Sequence, residues 1–143
     1  MRLALEQVAG HETGPDVPVG AVVLDQDGSI AGRGRNLCLE TGDPTAHAEI
    51  VAMRQAAAGL GSWRLDGCSL VVTLEPCTMC AGAVHLARIR RVVYGAIDER
   101  AGAAGSLWDI LRDRRLGPAV EVIGGVLAEP CGRLLSTFFE NLR

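Results

Sequence analysis

The chain of 143 residues is 48% hydrophobic with a formal net charge of −3 at pH 7. That balance excludes a disordered chain and a general nucleic-acid binder, and it suffices for one domain, 1–143, with its own core. No apolar run approaches the roughly 20 residues of a membrane span, and the first ten residues lack the apolar stretch of a signal peptide. The five cysteines, an odd number in apolar surroundings, read as thiols of a reducing compartment, so a cytoplasmic location is expected.

Residues 1–9 read as a short amphipathic helix with Leu3, Leu5 and Val8 facing a core, broken by Thr13-Gly14-Pro15-Asp16. Val17 to Leu24 is a predicted strand, Asp25-Gln26-Asp27-Gly28 a turn, and Ser29 to Cys38 the return; Asp-Gly between two such runs is a hairpin signal. Gly42-Asp43-Pro44-Thr45 ends this unit and offers an N-cap, and helical spacing follows from Ala46 to Ala58, closed by Gly59 and Gly61. Ser69 to Leu74 is a buried strand, Thr78 to Ala87 a helix, Arg90 to Gly95 an apolar strand, and Val120 to Gly124 a fifth. Glu129 to Asn141 is a C-terminal helix with Leu134, Leu135, Phe138 and Phe139 on its apolar side. A strand pair followed by alternating helix and strand predicts an α/β fold, a mixed sheet covered by helices on both faces.

His47-Ala48-Glu49 and, thirty residues on, Pro76-Cys77-Thr78-Met79-Cys80 carry the chemistry. One imidazole and two thiolates are a soft set suited to Zn²⁺. Three protein ligands leave a position for water, and a carboxylate two residues after the histidine sits beside that water without binding the metal; this H-x-E…P-C-x-x-C pattern marks nucleobase deaminases. Singly, His47 reads as a buried core histidine, the two cysteines as a redox pair or ordinary thiols, and Glu49 as a helix N-terminal charge. A structural zinc site needs a fourth ligand, and Cys38, Cys68, Cys131, His11 and His85 offer no second paired spacing. The cysteines share a face, three apart on a helix. Two helix starts from adjacent strands are expected to converge at the C-terminal edge of the sheet.

With these motifs placed, the flanks resemble the bacterial tRNA-specific adenosine deaminases of the cytidine deaminase superfamily. The likeness lies in Val17-Pro18-Val19-Gly20-Ala21-Val22, in Asp43-Pro44-Thr45-Ala46 before His47, in Thr73-Leu74-Glu75 before Pro76, and in Gly102-Ala103-Ala104-Gly105-Ser106-Leu107 and Phe138-Phe139. It implies a three-layer α/β/α, cytidine deaminase-like fold around a five-stranded mixed sheet. It implies a homodimer, one zinc per chain, and hydrolysis of the wobble adenosine of an arginine tRNA with anticodon ACG to inosine. By the same likeness His47, Cys77 and Cys80 hold the zinc, Glu49 shuttles protons to and from the adenine, and Asn36, Ala48 and Asp98 contact the substrate in a tRNA anticodon stem-loop. Arg35 departs from the aromatic usual before the asparagine, and the C-terminus is less basic than is usual in the family.

Residues 88–115 hold seven arginines against four acids, whereas residues 1–87 hold five against ten. A local basic stretch on an acidic chain fits a specific RNA contact, or else a solvated face. Arg88, Arg90, Arg91, Arg112, Arg114 and Arg115 are therefore expected to divide between tRNA phosphates and a dimer interface. Two rival readings stay open: a zinc deaminase of a free base or nucleoside (cytosine, guanine or cytidine), and a zinc-stabilised RNA-binding subunit without catalysis. The second leaves Glu49 without a purpose.

Overall fold

The computed structural model describes residues 1–143. The strands are β1 (Gly20–Leu24), β2 (Ile30–Arg35), β3 (Ser69–Leu74), β4 (Arg91–Ala96) and β5 (Glu121–Ile123). The helices are α1 (Arg2–Glu6), α2 (Cys38–Thr41), α3 (Ala48–Leu60), α4 (Thr78–Ala87) and α5 (Ala128–Asn141), with a 3₁₀ turn at Arg114–Leu116. The sheet runs β2-β1-β3-β4-β5. β1 is antiparallel to both its neighbours, and β3, β4 and β5 are parallel. This is the expected five-stranded mixed sheet.

Alternation along the strands builds two apolar layers. Ala21, Val23, Leu70, Val72 and Val92 face α3 and α4, meeting Ala48, Ala52, Met53 and Ala56 of the first and Ala81 and Val84 of the second. Val22 and Val71 face Ala4 of α1 on the opposite side, where α5 brings Cys131 against Gly95 of β4. α3 lies unusually close to β2. A Cβ on Gly32 or Gly34 would stand within 3.0 Å of the α3 backbone, so the two glycines and the alanine face of α3 set that helix's height above the sheet.

The structure corrects several boundaries. β1 begins at Gly20, because Pro18 has no N–H for a ladder and the Val17 and Val19 carbonyls accept from the Asn36 side chain and backbone instead. The return strand ends at Arg35 and a turn of helix, α2, takes over. The buried Asp16 carboxylate accepts from the backbone N–H groups of Leu39 (2.7 Å) and Glu40 (2.9 Å) and so caps α2 from a distance in sequence. Asp43 folds the turn before α3 by accepting from Thr45, but the N-cap of α3 is His47. α1 ends at Glu6, and in the terminal helices Leu3 and Phe139 are exposed while Ala4, Cys131 and Phe138 are buried; Val8 is buried in the turn after α1. No helix is long and apolar enough to cross a membrane.

Candidate active site

β2 and β3 are both antiparallel to β1, so the chain leaves them at one edge of the sheet. There α3 and α4 begin. The N-caps of the two helices are His47 and Cys77, both in extended backbone. Glu49 is the second residue of α3 and Cys80 the third of α4.

The His47 Nδ1 atom lies 3.6 Å from the Cys77 sulfur and 3.5 Å from the Cys80 sulfur. With Zn–S near 2.3 Å and Zn–N near 2.0–2.1 Å, the edge of a tetrahedron joining N to S is about 3.6 Å. The donor spacing therefore fits zinc. No fourth His, Cys, Asp or Glu joins the three within 4.8 Å, the arrangement of an open site and not of a closed structural one.

Donors crowded at one point perturb one another. The Cys80 thiol, shared with the Cys77 sulfur, holds Cys77 down to about 4 against its burial, with the His47 ring adding to the effect. The same sharing, followed by burial, pushes Cys80 far above the usual thiol range. His47 is raised, chiefly by its hydrogen bond to Cys77. A divalent cation would displace these shared protons, since cysteines ligate as thiolates and histidine as the neutral ring. Glu49 is only 4% exposed and burial pushes its carboxyl up to about 7, opposed by its own backbone N–H and by the His47 charge.

These residues open onto a groove of about 940 Å³ lined by His47, Ala48, Glu49, Cys77, Asn36 and Asp98. All the expected substrate contacts are thus brought together. The Asn36 amide donates to the Val17 carbonyl and its oxygen accepts from the Cys38 N–H, each at 3.3 Å. Asp98 accepts from the backbone N–H groups of Arg100 and Ala101 and so shapes its own loop.

The sequence reading missed Leu135, Phe139, Leu142 and Arg143 of the C-terminal segment as groove residues, and Ile97 and Arg100 after β4. It gave Glu75, a buried acid directly ahead of Pro76, no role. The signal for Glu75 was an acid directly after an otherwise apolar strand. The six-arginine cluster is partly self-neutralised: Arg91 pairs with Glu121 at 2.8 Å, Arg112 with Asp109 at 3.1 Å and Arg115 with Asp113 at 2.6 Å. Arg88, Arg90 and Arg91 stand beyond the far end of α4, about 15 Å from its start by helical rise.

A family model, the cytidine and deoxycytidylate deaminase zinc-binding region, matches residues 1–96. The tRNA-specific adenosine deaminase of Haemophilus influenzae is 48% identical over 143 residues, 100% of this chain and 83% of the relative. The chain belongs to the tRNA-specific adenosine deaminase family. A segment making up 24% of the tRNA(Ile)-lysidine synthase of Deinococcus radiodurans is 53% identical over 99% of this deaminase. Among solved structures, one from work on A-to-I editing by tRNA:A34 deaminases is 41% identical with a TM-score of 0.89, covering 94% of this chain and 97% of that one. The guanine deaminase of Nitrosomonas europaea is 26% identical with a TM-score of 0.81, over 94% and 80% of the two chains. A zinc cofactor and a deaminase fold follow from family and donor set together.

Proposed function

We propose that this deaminase hydrolyses the wobble adenosine of a tRNA anticodon loop to inosine, with the arginine tRNA bearing ACG as substrate. The observation that carries the reading is Glu49, a buried unligated carboxylate beside a three-donor metal site in an open groove. The groove of about 940 Å³ is open along one side and carries Arg100 and Arg143 on its lining. Such a groove suits a base presented on a larger molecule, and hairpin loops present bases already splayed. The relatives that share 41–48% identity, named for tRNA, support the same substrate.

His47, Cys77 and Cys80 hold one zinc per chain, which supplies a Lewis acid that makes water a nucleophile at neutral pH. Glu49 accepts a proton from the water that attacks C6 and passes it to ring N1; it then takes the proton of the new C6 hydroxyl and passes it to the amino group, so that the C6–N bond breaks, ammonia leaves and a carbonyl remains. Asn36 has an N–H and a lone pair to spare beyond its two backbone bonds, enough to orient the nucleoside. Ala48 contributes the helix start beside the base and Asp98 the facing loop. A homodimer fits the exposed Leu107 and Trp108, 52% and 56% accessible in the loop after β4; light scattering tests it.

The deciding experiment incubates the zinc-loaded protein with an ACG stem-loop, free adenosine, cytidine and guanine, and reads products by mass. Inosine in the stem-loop with poor turnover of free adenosine is expected. Faster turnover of free guanine or cytidine would replace this reading with the small-molecule one.

A further inference from the structure

Glu75 plays no part in the steps above, yet it accepts four hydrogen bonds, more than either other buried acid, Asp16 or Glu49. At 2% exposure it directly follows the last residue of β3, immediately before Pro76-Cys77. Its Oε2 accepts from the Asp98 backbone N–H at 2.9 Å and from the Ser106 hydroxyl. Its Oε1 accepts from the backbone N–H groups of Ala104 and Ser106, each at 3.0 Å. All these donors belong to one loop, the one that follows β4. Gly102 makes the approach possible, since a Cβ there would meet the Glu75 carboxyl at 2.5 Å. The loop also donates from Ala103 N–H to the Pro76 carbonyl at 2.7 Å.

That loop forms a wall of the groove through Ile97, Asp98, Glu99, Arg100 and Ala101. These residues lie in no helix or strand, so no regular ladder fixes them. An ionised acceptor in a buried setting holds its donors more firmly than a neutral one. We propose that Glu75 is a positioning residue for the reaction: by gathering the 98–106 loop onto one carboxylate it fixes the groove wall in the shape that receives RNA, without touching the reacting atoms. The RNA part of this rests on the substrate reading given above.

The test uses the full zinc-loaded chain with Glu75→Gln and Ser106→Ala. The amide keeps one acceptor oxygen but turns an NH₂ toward the Asp98 N–H. The Ser106 hydroxyl can rotate to accept; the Asp98 N–H cannot. Hydrogen exchange at Asp98 is expected to accelerate tenfold or more, the scale of one orphaned buried N–H, while the β3 amides stay protected. KM for the ACG stem-loop should rise about tenfold, with kcat within about threefold of wild type and zinc content unchanged. Ser106→Ala keeps every backbone donor and should raise both readouts less, about threefold. Unchanged exchange at Asp98, Ala104 and Ser106 in Glu75→Gln overturns the proposal. So does a loss confined to zinc content or to kcat, which would mean that Glu75 acts through Cys77. If Glu75→Gln does not fold, Ser106→Ala decides, and wild-type exchange and KM in it overturn the proposal. A wild-type protein inactive on the stem-loop refutes the RNA reading alone, and the exchange comparison still judges the clamp.

Discussion

Gly34→Ala tests the claim that close packing of α3 on β2 sets the active-site geometry. The added Cβ would stand 2.6 Å from the Ala52 nitrogen and nearer still to the Ala48 carbonyl oxygen, whereas ordinary contact begins at 3.4 Å. Both atoms are backbone, so no rotamer change relieves the overlap, and the first turns of α3 must retreat by about 1 Å. His47 caps that turn and Glu49 lies in it, while Cys77 and Cys80 stay with α4. The nitrogen–sulfur spacings of 3.5 and 3.6 Å would then exceed a zinc tetrahedron's edge of about 3.6 Å. Overpacking of this kind costs roughly 1–3 kcal/mol, or roughly 3–10 °C in Tm for a chain of this size. A shift of about 1 Å at the reacting groups costs about 10²-fold in rate, and disturbed support of a ligand costs about 10–100-fold in metal affinity. The assay is kcat/KM on the stem-loop beside zinc competition with a chelator and a thermal melt. Gly82→Ala is the control, a glycine inside α4 with nothing within 4 Å of the new Cβ, expected to gain about 0.5–1 kcal/mol with activity intact. A Gly34→Ala protein with wild-type zinc affinity, turnover and Tm would refute the argument.

Glu49→Gln should keep its zinc and lose about 10²–10⁴-fold in turnover, since it removes the proton carrier and no ligand; near-normal deamination by the variant would take Glu49 out of the mechanism. Cys80→Ala, at a position with no exposed surface, should lose zinc by elemental analysis and melt earlier, because ligand binding contributes to folding free energy. Chelation should abolish activity and added zinc restore it, with one zinc per chain at full activity; two per chain would break the assignment. Arg100→Ala and Arg143→Ala, which remove charges lining the groove, should each reduce the salt dependence of RNA binding by about one phosphate's slope, near 0.7 on a single strand. Arg91→Ala, paired with Glu121, should leave that slope unchanged.

The zinc donors were legible because their chemistry is local: a helix start fixes His47 against Glu49, and another fixes Cys77 against Cys80. The approximate placement of the strands and main helices followed from periodicity and the Asp-Gly turn for the same reason, whereas the strand order did not: α3 and α4 were expected to follow adjacent strands, and β1 stands between β2 and β3. What stayed hidden depends on contacts far apart in sequence. Asp16 caps α2 across more than twenty residues, so the pattern after Arg35 reads as more strand. Glu75 is explained only by a loop beginning twenty-three residues later. In the arginine cluster the partner of Arg91, Glu121, lies thirty residues on and gave no local signal, whereas Asp109 and Asp113 stand within three residues of Arg112 and Arg115. Surface pairs of that kind contribute little to stability, yet they decide which arginines remain free for phosphate.

The choice of ligands follows from where the fold puts them. Two helix N-termini converge on the site, and each carries about half a positive charge and unpaired N–H groups. A dication held there by neutral donors alone would stand as an uncompensated +2 against both dipoles, in a setting from which water is partly excluded. Two thiolates would cancel the dication's charge, and an ionised Glu49 would offset the two half-charges of the helix N-termini. The same N-termini favour the anionic forms of Cys77, Cys80 and Glu49, because each lies at a cap or in a first turn. An all-histidine set would meet zinc's coordination preference and fail this electrostatic one. With a metal bound, the two cysteines and the carboxylate would form one charge-balanced unit between the starts of the two crossover helices. Replacing either thiolate with a neutral ligand should weaken zinc binding more than the loss of one bond accounts for.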